Sequence, residues 1–299
     1  MQSINEIQNR LQSMEDIKHL LRSVRAMSAI RWRRAKKHLE IAQIYAGYIN
    51  KQLGTLIAKT GPISLETDSQ KNGNGSDKKI VGLITLTSDR GLCGNFNTGL
   101  VSKAITVTEI INKKNKEVKI ISLGGYGERL FTDAGYEIFF SEKVPSAQAV
   151  SFMNMRNAIA HIKAIYVSKA IDELNILYNR FNYFGSYTPK SVQILPPQYS
   201  DFDLEPDQPE HDIMVNSDPE ALKSYLLWEH LASRLYLAFI ESTISEHSAR
   251  LQTMDSAISN LDQRVLELEI KYHTIRQEKI TQDVLEVQSN LRDRKEKRD

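Results

Sequence analysis

The segment SDRGLCGNFNTG at residues 88–99 holds the residue types in this chain that are best suited to chemistry. It follows the apolar run KIVGLITLT, and a turn after a strand of an α/β protein often binds phosphate through backbone amides. The segment lacks the GK[ST] ending of a P-loop, so it places no lysine for phosphates and no hydroxyl for magnesium. We therefore favour a tight strand-to-helix turn, in which Gly91 and Gly94 allow close backbone packing. Asn97 or Thr98 would then cap the helix.

Three other features could indicate a chemical site. Cys93 is the single cysteine, but no histidine close in sequence could act as its base, so packing is favoured. The segment GGYGERL at 124–130 begins like a dinucleotide fingerprint, yet Leu130 stands where the third glycine belongs. The seven histidines show no metal-ligand spacing, and His247 is interpreted as a packed or hydrogen-bonded helix residue. We expect no catalytic residue, no cofactor and no metal site.

A basic cluster lies near the amino terminus, and its members are Arg22, Arg25, Arg31, Arg33, Arg34, Lys36 and Lys37. The cluster is either a solvated helix face or a surface that meets acidic protein groups or phosphates. Trp32 is the single aromatic residue among them, so nucleic-acid binding is not favoured.

The composition excludes several classes of protein. The formal net charge is +2, from 39 basic and 37 acidic residues, so there is no global field to recruit nucleic acid or a membrane. One cysteine excludes an internal disulfide. No apolar run approaches the ~20 residues that span a bilayer, and the start, MQSINEIQNRL, resembles no signal or transit peptide. We expect a cytosolic or peripheral protein.

Prolines are confined to the middle of the chain, and only Gly47 interrupts the segment from Ser3 to about Leu53. All eight prolines lie between Pro62 and Pro219, and no glycine follows Gly185. Both ends therefore predict long helices, which need a partner to bury their apolar stripes.

The spacing of those stripes is typical of a coiled coil. Steps of three and four alternate through Leu251, Met254, Ile258, Leu261, Val265, Leu268, Tyr272 and Ile275. The amino-terminal stripe is Ile4, Ile7, Leu11, Met14, Ile17, Leu21, Val24 and Met27, with one shortened step near Ile17. An antiparallel coiled coil within one chain is the economical solution. Helices of a bundle and homodimerisation remain alternatives.

Between the ends, apolar runs alternate with helical patterns, which indicates βαβ units and a mainly parallel sheet. Strands are predicted at 79–87, 116–124 and 173–181, with TPKSVQILPP as a further one, and helices at 98–114, 125–135 and 147–168. The fold class is therefore α/β, a Rossmann-like domain inserted into a long antiparallel coiled coil. The expected organisation is an N-terminal coiled-coil helix at 1–58, a linker at 59–78, an α/β domain at 79–212 and a C-terminal coiled-coil helix at 213–299.

Four segments resemble one family. SDRGLCGNFN strongly resembles the motif SDRGLCGGFN of the gamma subunit of F-type ATP synthases. ESTISEHSARLQTMDSA at 241–257 and YHTIRQEKITQDVLEV at 272–287 are similar to the two carboxyl-terminal signatures of that family, and RSVRAMSAIRWRRAKKH at 22–38 looks like its amino-terminal segment. The segments occur in family order and cover both ends of the chain.

The resemblance implies a non-catalytic central rotor shaft, which couples transmembrane ion flow to ATP synthesis or hydrolysis on the alpha/beta ring. It implies alpha and beta subunits, an epsilon subunit and the c-ring as partners, with membrane contact only through the c-ring and no nucleic acid. The expected location is peripheral, on the cytoplasmic face of a bacterial or archaeal cell membrane. A coiled-coil adaptor or nucleic-acid-binding protein, and a nucleotide-binding enzyme that uses residues 88–99, are the alternatives.

By matching position, the resemblance implies contacts with the beta subunit. The expected contact residues are Arg276, Gln277, Thr281, Asp283, Val24, Arg31, Arg33 and Arg34. Val24 stands where the family usually has methionine. The chain also runs on into SNLRDRKEKRD where the family commonly ends, which indicates a divergent or alternate F-type complex.

Overall fold

The computed structural model describes residues 4–61, 78–143, 152–197, 202 and 218–296. Most of the predicted linker and the last three residues of the charged carboxyl-terminal segment lie outside these ranges.

Two long helices occupy the ends of the chain, as the absence of breakers predicts. Helix α1 spans Ile4–Thr60 and helix α5 spans Pro219–Glu296. Gly61, at φ 83°, follows the last turn of α1. Pro219 is the first residue of α5, and the side chain of Asp218 accepts the amide of Glu220 at 3.2 Å.

Among the described residues, five strands form one sheet in the order β3-β2-β1-β4-β5. The strands are β1 Ile80–Leu86, β2 Glu117–Leu123, β3 Ile138–Glu142, β4 Glu173–Tyr183 and β5 Ser186–Leu195. The helices between them are α2 Phe96–Lys113, α3 Gly125–Asp133 and α4 Phe152–Val167. The first four strands are parallel, and β5 pairs antiparallel with β4. This confirms a mixed α/β fold.

Strand β3 was not predicted from the sequence. It is five residues long and lies at the edge of the sheet, where only its inward side chains are half-buried. Its sequence, IFFSE, therefore lacks the continuous apolar run by which the buried strand β1 was recognised.

Both faces of the sheet are covered, so β1 is buried throughout most of its length. Ile84 packs with residues of α1, α4 and α5, whereas its neighbour Leu83 packs with residues of α2 and α3. Alternate strand residues point to opposite faces, so each face contributes to a separate apolar core.

The chain divides into two compact units. The terminal unit comprises Met1–Met27 and Gln252–Asp299, and the central unit comprises Ser28–Leu251. Each unit contains part of α1 and part of α5.

Candidate functional site

The 88–97 turn of the central unit is closed by its own side chains. The amide of Ser88 donates to Asn97 Oδ1 at 2.9 Å, and Asn97 Nδ2 donates to Ser88 Oγ at 2.8 Å. Ser88 Oγ in turn donates to the carbonyl of Arg90 at 2.6 Å. Ser88 and Asn97 are both buried, so these bonds satisfy polar groups that would otherwise be costly to bury.

The predicted helix cap was wrong in its detail. The N-cap residue of α2 is Asn95, which makes no side-chain capping bond, and Asn97 lies within the first turn. Asn97 points back to Ser88 instead of to the helix amides, because the turn buries the Ser88 amide and requires an acceptor there. Thr98 donates to the side chain of Asn95.

Cys93 packs inside this turn, in agreement with the sequence interpretation. Its thiol is buried with Phe96 and with Ala249 of α5, and it accepts from Asn97 Nδ2 at 3.3 Å. Burial raises the pKa of the Cys93 thiol, and the nearby Arg250 only partly opposes this effect. The thiol is therefore held in its protonated, unreactive form.

The neighbouring GGYGERL segment also has a packing role. Gly124 has φ 116°, and a Cβ built there would lie 2.2 Å from the carbonyl oxygen of Thr87. A Cβ on Gly127 would lie 2.6 Å from Thr87 Oγ1. Glycine is therefore required for the start of α3 to approach the end of β1.

Backbone amides at this edge of the sheet already have acceptors. Asp89 Oδ1 accepts the amide of Gly125 at 2.9 Å, and Thr87 Oγ1 accepts the amide of Gly127 at 3.0 Å. With the Ser88 amide bonded to Asn97, these groups are not directed at a phosphate. These three amides are therefore not available to the phosphate of a nucleotide.

Helix α5 holds the turn through Arg250. Its guanidinium donates to the carbonyl oxygens of Arg90 and Gly91, each at 3.2 Å, and forms a salt bridge with Glu246 at 2.7 Å. The side chains of Arg250 and Glu246 are only 7% and 6% exposed. We name this arrangement of Arg250, Glu246 and the 88–97 turn the clamp.

The electrostatics of the clamp follow from its burial. Burial raises the pKa of Glu246, and the charge and hydrogen bond of Arg250 oppose that shift. Burial, together with the charges of Arg250 and Arg31, lowers the pKa of His247 to about 3, so this imidazole is neutral. Arg31 has its own pKa lowered by burial and by the charges of Arg90 and Arg250. The clamp therefore concentrates three guanidinium groups near one buried carboxylate.

The sequence reasoning missed the clamp. One feature of the sequence could have indicated the clamp. Glu246 and Arg250 are oppositely charged, stand four residues apart, and lie on the helix face that also carries the apolar stripe. Ser242, Ser245 and Ser248 accompany them, and these small side chains bring the helix close to the sheet. Ser245 Oγ donates to the carbonyl of Asn179 on β4 at 3.0 Å.

In the terminal unit, side chains of described residues pair α1 with α5. Gln8 Nε2 donates to Tyr272 Oη at 3.1 Å, Lys18 forms a salt bridge with Asp262, and Arg25 forms one with Asp255. Residue numbers rise along one helix as they fall along the other, so the contacts run in opposite directions.

The apolar stripe of α5 in this unit is its less exposed face. Met254 is buried, and the other members are half-buried: Ile258, Leu261, Val265, Leu268, Tyr272 and Ile275. On α1 the stripe departs from prediction at two positions, because Ile17 is 47% exposed and Met27 is 49% exposed. The neighbouring Lys18 is half-buried and pairs with Asp262. Lys18 therefore occupies the position in the stripe that was predicted for Ile17, at the shortened step.

The expected contact residues fall in both units. In the terminal unit Val24 is half-buried, and four are exposed: Arg276, Gln277, Thr281 and Asp283. In the central unit Arg31 is half-buried, whereas Arg33 and Arg34 are exposed. Contact of these residues with a partner stays a prediction.

Among the described residues, no group of three or more histidine, cysteine, aspartate or glutamate side chains could hold a metal ion. None of the helices in the described ranges has an apolar stretch long enough to cross a bilayer.

The protein consists of two long helices and a mixed α/β sheet. The 88–97 turn, whose sequence resembles the gamma-subunit motif, is bonded to one of these helices, α5. A family model described as ATP synthase matches residues 3–291. The chain therefore belongs to the ATP synthase family.

Its curated relatives are similar along almost the whole length. The ATP synthase gamma chain of Pelagibacter ubique is 28% identical over 294 residues, which cover 96% of this chain and 98% of the relative. The ATP synthase gamma chain of Staphylococcus aureus strain JH9 is 27% identical over 299 residues, covering 96% of this chain and 97% of the relative.

Solved structures show the same fold. A chain of the Euglena gracilis mitochondrial ATP synthase, in an OSCP/F1/c-ring structure, has a TM-score of 0.62 at 18% identity and covers 96% of this chain and 93% of its own. A chain of the Tetrahymena thermophila mitochondrial ATP synthase central stalk/c-ring has a TM-score of 0.56 at 21% identity and covers 80% of this chain and 99% of its own.

Proposed function

We propose that this chain is the gamma subunit that forms the central rotor shaft of an F-type ATP synthase. Family membership and the gamma-chain relatives support this role. The gamma subunit is a non-catalytic part of the rotary complex, and the complex performs ATP synthesis or hydrolysis. The chain would couple ion flow across the membrane to chemistry on the alpha/beta ring.

The terminal unit is proposed to be an antiparallel coiled coil. The alternating half-buried stripe of α5 and the opposed contacts Gln8–Tyr272, Lys18–Asp262 and Arg25–Asp255 support it. Two helices packed along their length resist bending and twisting better than one, which is what a shaft requires.

The clamp is the observation that carries the mechanical part of the proposal. A shaft that receives torque through an α/β domain needs that domain fixed to a shaft helix at more than one atom. Arg250 bonds to two carbonyls of the 88–97 turn, and residues 241–250 of α5 are all buried. Neither the turn nor the helix turn that holds it can rotate without breaking these bonds.

The partner contacts are proposed on two surfaces. The beta subunits would meet the exposed groups Arg276, Gln277, Thr281 and Asp283, with Val24, Arg31, Arg33 and Arg34 on α1. In the central unit, α1 and α5 expose an apolar stripe made of Ile41, Ile44, Tyr45, Tyr48 and Tyr225. An exposed apolar stripe of this size marks an interaction site, and we assign it to the epsilon subunit and the c-ring. Membrane contact would then be indirect, on the cytoplasmic face.

Coexpression with alpha- and beta-type subunits tests the function. The chain should copurify with both in one complex that hydrolyses ATP, and the variant Arg276→Ala/Gln277→Ala should lower that hydrolysis about tenfold, as expected for a loss of ~1.4 kcal/mol of coupling. The matched control is Gln263→Ala/Arg264→Ala, which changes the same residue types at exposed positions of the same helix. Failure to copurify contradicts the role, and equal effects of both variants contradict the contact assignment.

A further inference from the structure

After Glu173, the first residue of β4, the β4–β5 hairpin carries positive charge and no acidic residue. Between Leu174 and Ser200 the chain has two charged residues, Arg180 and Lys190, and neither aspartate nor glutamate. Helix α5 adds Arg234 in the segment 230–240, which is also free of acidic residues. Three cationic side chains thus come from three elements of the central unit.

The three cations share one face. Lys190 pairs with Tyr178 across the two strands, and Arg180 lies two residues after Tyr178, so all three point to the same side of the sheet. The Tyr178 hydroxyl bonds to Glu241 of α5. Arg234 precedes Glu241 by seven residues, two helical turns, and therefore lies on the same side of α5.

The charges on this face do not balance. Glu241 is the carboxylate among them, and it is 8% exposed. Burial raises the pKa of Glu241, whereas the Tyr178 hydrogen bond and the charges of Arg180 and Lys190 lower it. One of its oxygens has no hydrogen-bond partner among the described residues.

The cations themselves are available to a partner. Arg180 and Lys190 are exposed and Arg234 is half-buried. None of the three side chains has a hydrogen bond or salt bridge to a residue that the structure describes. Among the described residues, three positive charges therefore share this face with one carboxylate, that of Glu241.

We propose that this basic face, defined by Arg180, Lys190 and Arg234, binds an acidic protein surface on another subunit of the complex. The inference rests on the proposed function, because it requires partner chains. Strand β5 is an edge strand, but Pro189 lacks an amide hydrogen and Lys190 is charged, so addition of a further strand is disfavoured. Recognition would occur through side chains, with the arginines donating to carboxylates.

The number of cations favours a protein over a lipid surface. Lipid-binding clusters commonly contain about four to eight basic residues, because each contributes only ~1 kcal/mol near an anionic membrane. Three cations, two of which are arginines suited to bidentate carboxylate binding, fit a small acidic protein patch better.

Chemical labelling of Lys190 in the purified complex tests the proposal. Acetylation of Lys190 should be at least about fivefold slower in the complex than in the isolated chain, whereas exposed Lys103 on α2 should react equally in both. A carbodiimide should join Lys190 Nζ to an aspartate or glutamate of another subunit as an amide, which peptide mass spectrometry identifies.

Three results would overturn it while leaving the shaft role intact, since the complex is already assembled in each. Lys190 could react equally in the complex and in the isolated chain. The carbodiimide could join Lys190 only to acidic residues of its own chain. Protection of Lys190 could vanish when lipid is removed from an otherwise intact complex, which would identify a lipid surface.

A charge-reversal pair provides an independent measurement. The variant Arg180→Glu/Lys190→Glu should weaken retention of at least one subunit about tenfold, as measured by its dissociation from the immobilised complex. The control Lys103→Glu/Lys113→Glu makes the same total charge change at exposed positions of α2 and should change retention less than twofold. Equal weakening by both variants would attribute the effect to net charge and contradict the proposal.

Discussion

Helix α5 has two regions that are held by different interactions. In the central unit, residues 241–250 are all buried, and they include Glu246, His247 and Arg250. In the terminal unit, Met254 is buried, and from Ile258 to Ile275 one residue in every three or four is half-buried and the others are exposed. The buried region depends on a few polar contacts with unique partners, whereas the terminal region depends on many small apolar contacts of one kind. We therefore expect single substitutions to be far more damaging in the first region.

The largest effect is expected at the clamp. Arg250→Met leaves the buried Glu246 carboxylate without its counter-ion, which costs roughly 3–5 kcal/mol. Urea unfolding of the central unit followed by circular dichroism measures the loss. The matched control is Arg264→Met on the exposed face of α5 in the terminal unit, where a change within about 0.5 kcal/mol is expected. A loss at Arg250 no greater than at Arg264 would remove the distinction between the regions.

The pH dependence of stability should sharpen the same distinction. The pKa of His247 falls from 6.5 to about 3 on folding, because burial and the charges of Arg250 and Arg31 disfavour its cation. As the pH falls, the unfolded chain binds a proton at His247 before the folded chain does. The contribution of His247 to the free energy of unfolding is therefore fully present above pH 6.5 and is lost as the pH falls towards 3. Between about pH 7 and about pH 4.5 the His247 contribution should fall by about 2 kcal/mol.

The His247→Gln variant tests this contribution. Its free energy of unfolding should fall less steeply over that range, although His230, whose pKa burial lowers to about 4, still contributes. His273, an exposed histidine of α5 in the terminal unit, provides the control His273→Gln. Parallel pH profiles for His247→Gln and the unmodified chain would show that the buried imidazole does not titrate as expected.

The two regions also differed in how far the sequence predicted them. The terminal stripe from Leu251 to Ile275 was found by its spacing, because a repeated apolar interval is a local property of the sequence. The strands β1, β2 and β4 were predicted for a similar reason, since each contains a short run rich in apolar residues.

The clamp could not be found in this way. Whether Arg250 is a solvated helix residue or a buried donor to the carbonyls of Arg90 and Gly91 depends on contacts 159 and 160 residues apart in sequence. The spacing of Glu246 and Arg250 along the helix is the same whether Arg250 is exposed to solvent or buried. The Asn97 side chain, taken for a helix cap, bonds to Ser88 for the same reason: its partner is set by the fold of the turn.

A moderate effect is expected for the apolar stripe of the terminal unit. Leu261→Ala removes a half-buried side chain and should lower the free energy of unfolding of this unit by about 1–2 kcal/mol. Leu266 lies five residues further along the same helix and is 59% exposed, so Leu266→Ala should cost less than about 0.5 kcal/mol. Thermal unfolding followed by circular dichroism compares them. Equal losses would show that the stripe is not the packed face of α5.

The smallest effect is expected for the ion pair of the terminal unit. Arg25 and Asp255 are 51% and 49% exposed, so water competes for both charges and the pair should contribute at most about 1 kcal/mol. Arg25→Ala and Asp255→Ala, combined in a double-mutant cycle by thermal unfolding, measure the coupling. The coupling should shrink further in about 1 M salt, because screening acts on exposed charges. If it instead approached the loss caused by Arg250→Met, charge pairing would stabilise both regions of α5 to a similar degree. The contrast between buried polar contacts and a repeated apolar stripe would then be wrong.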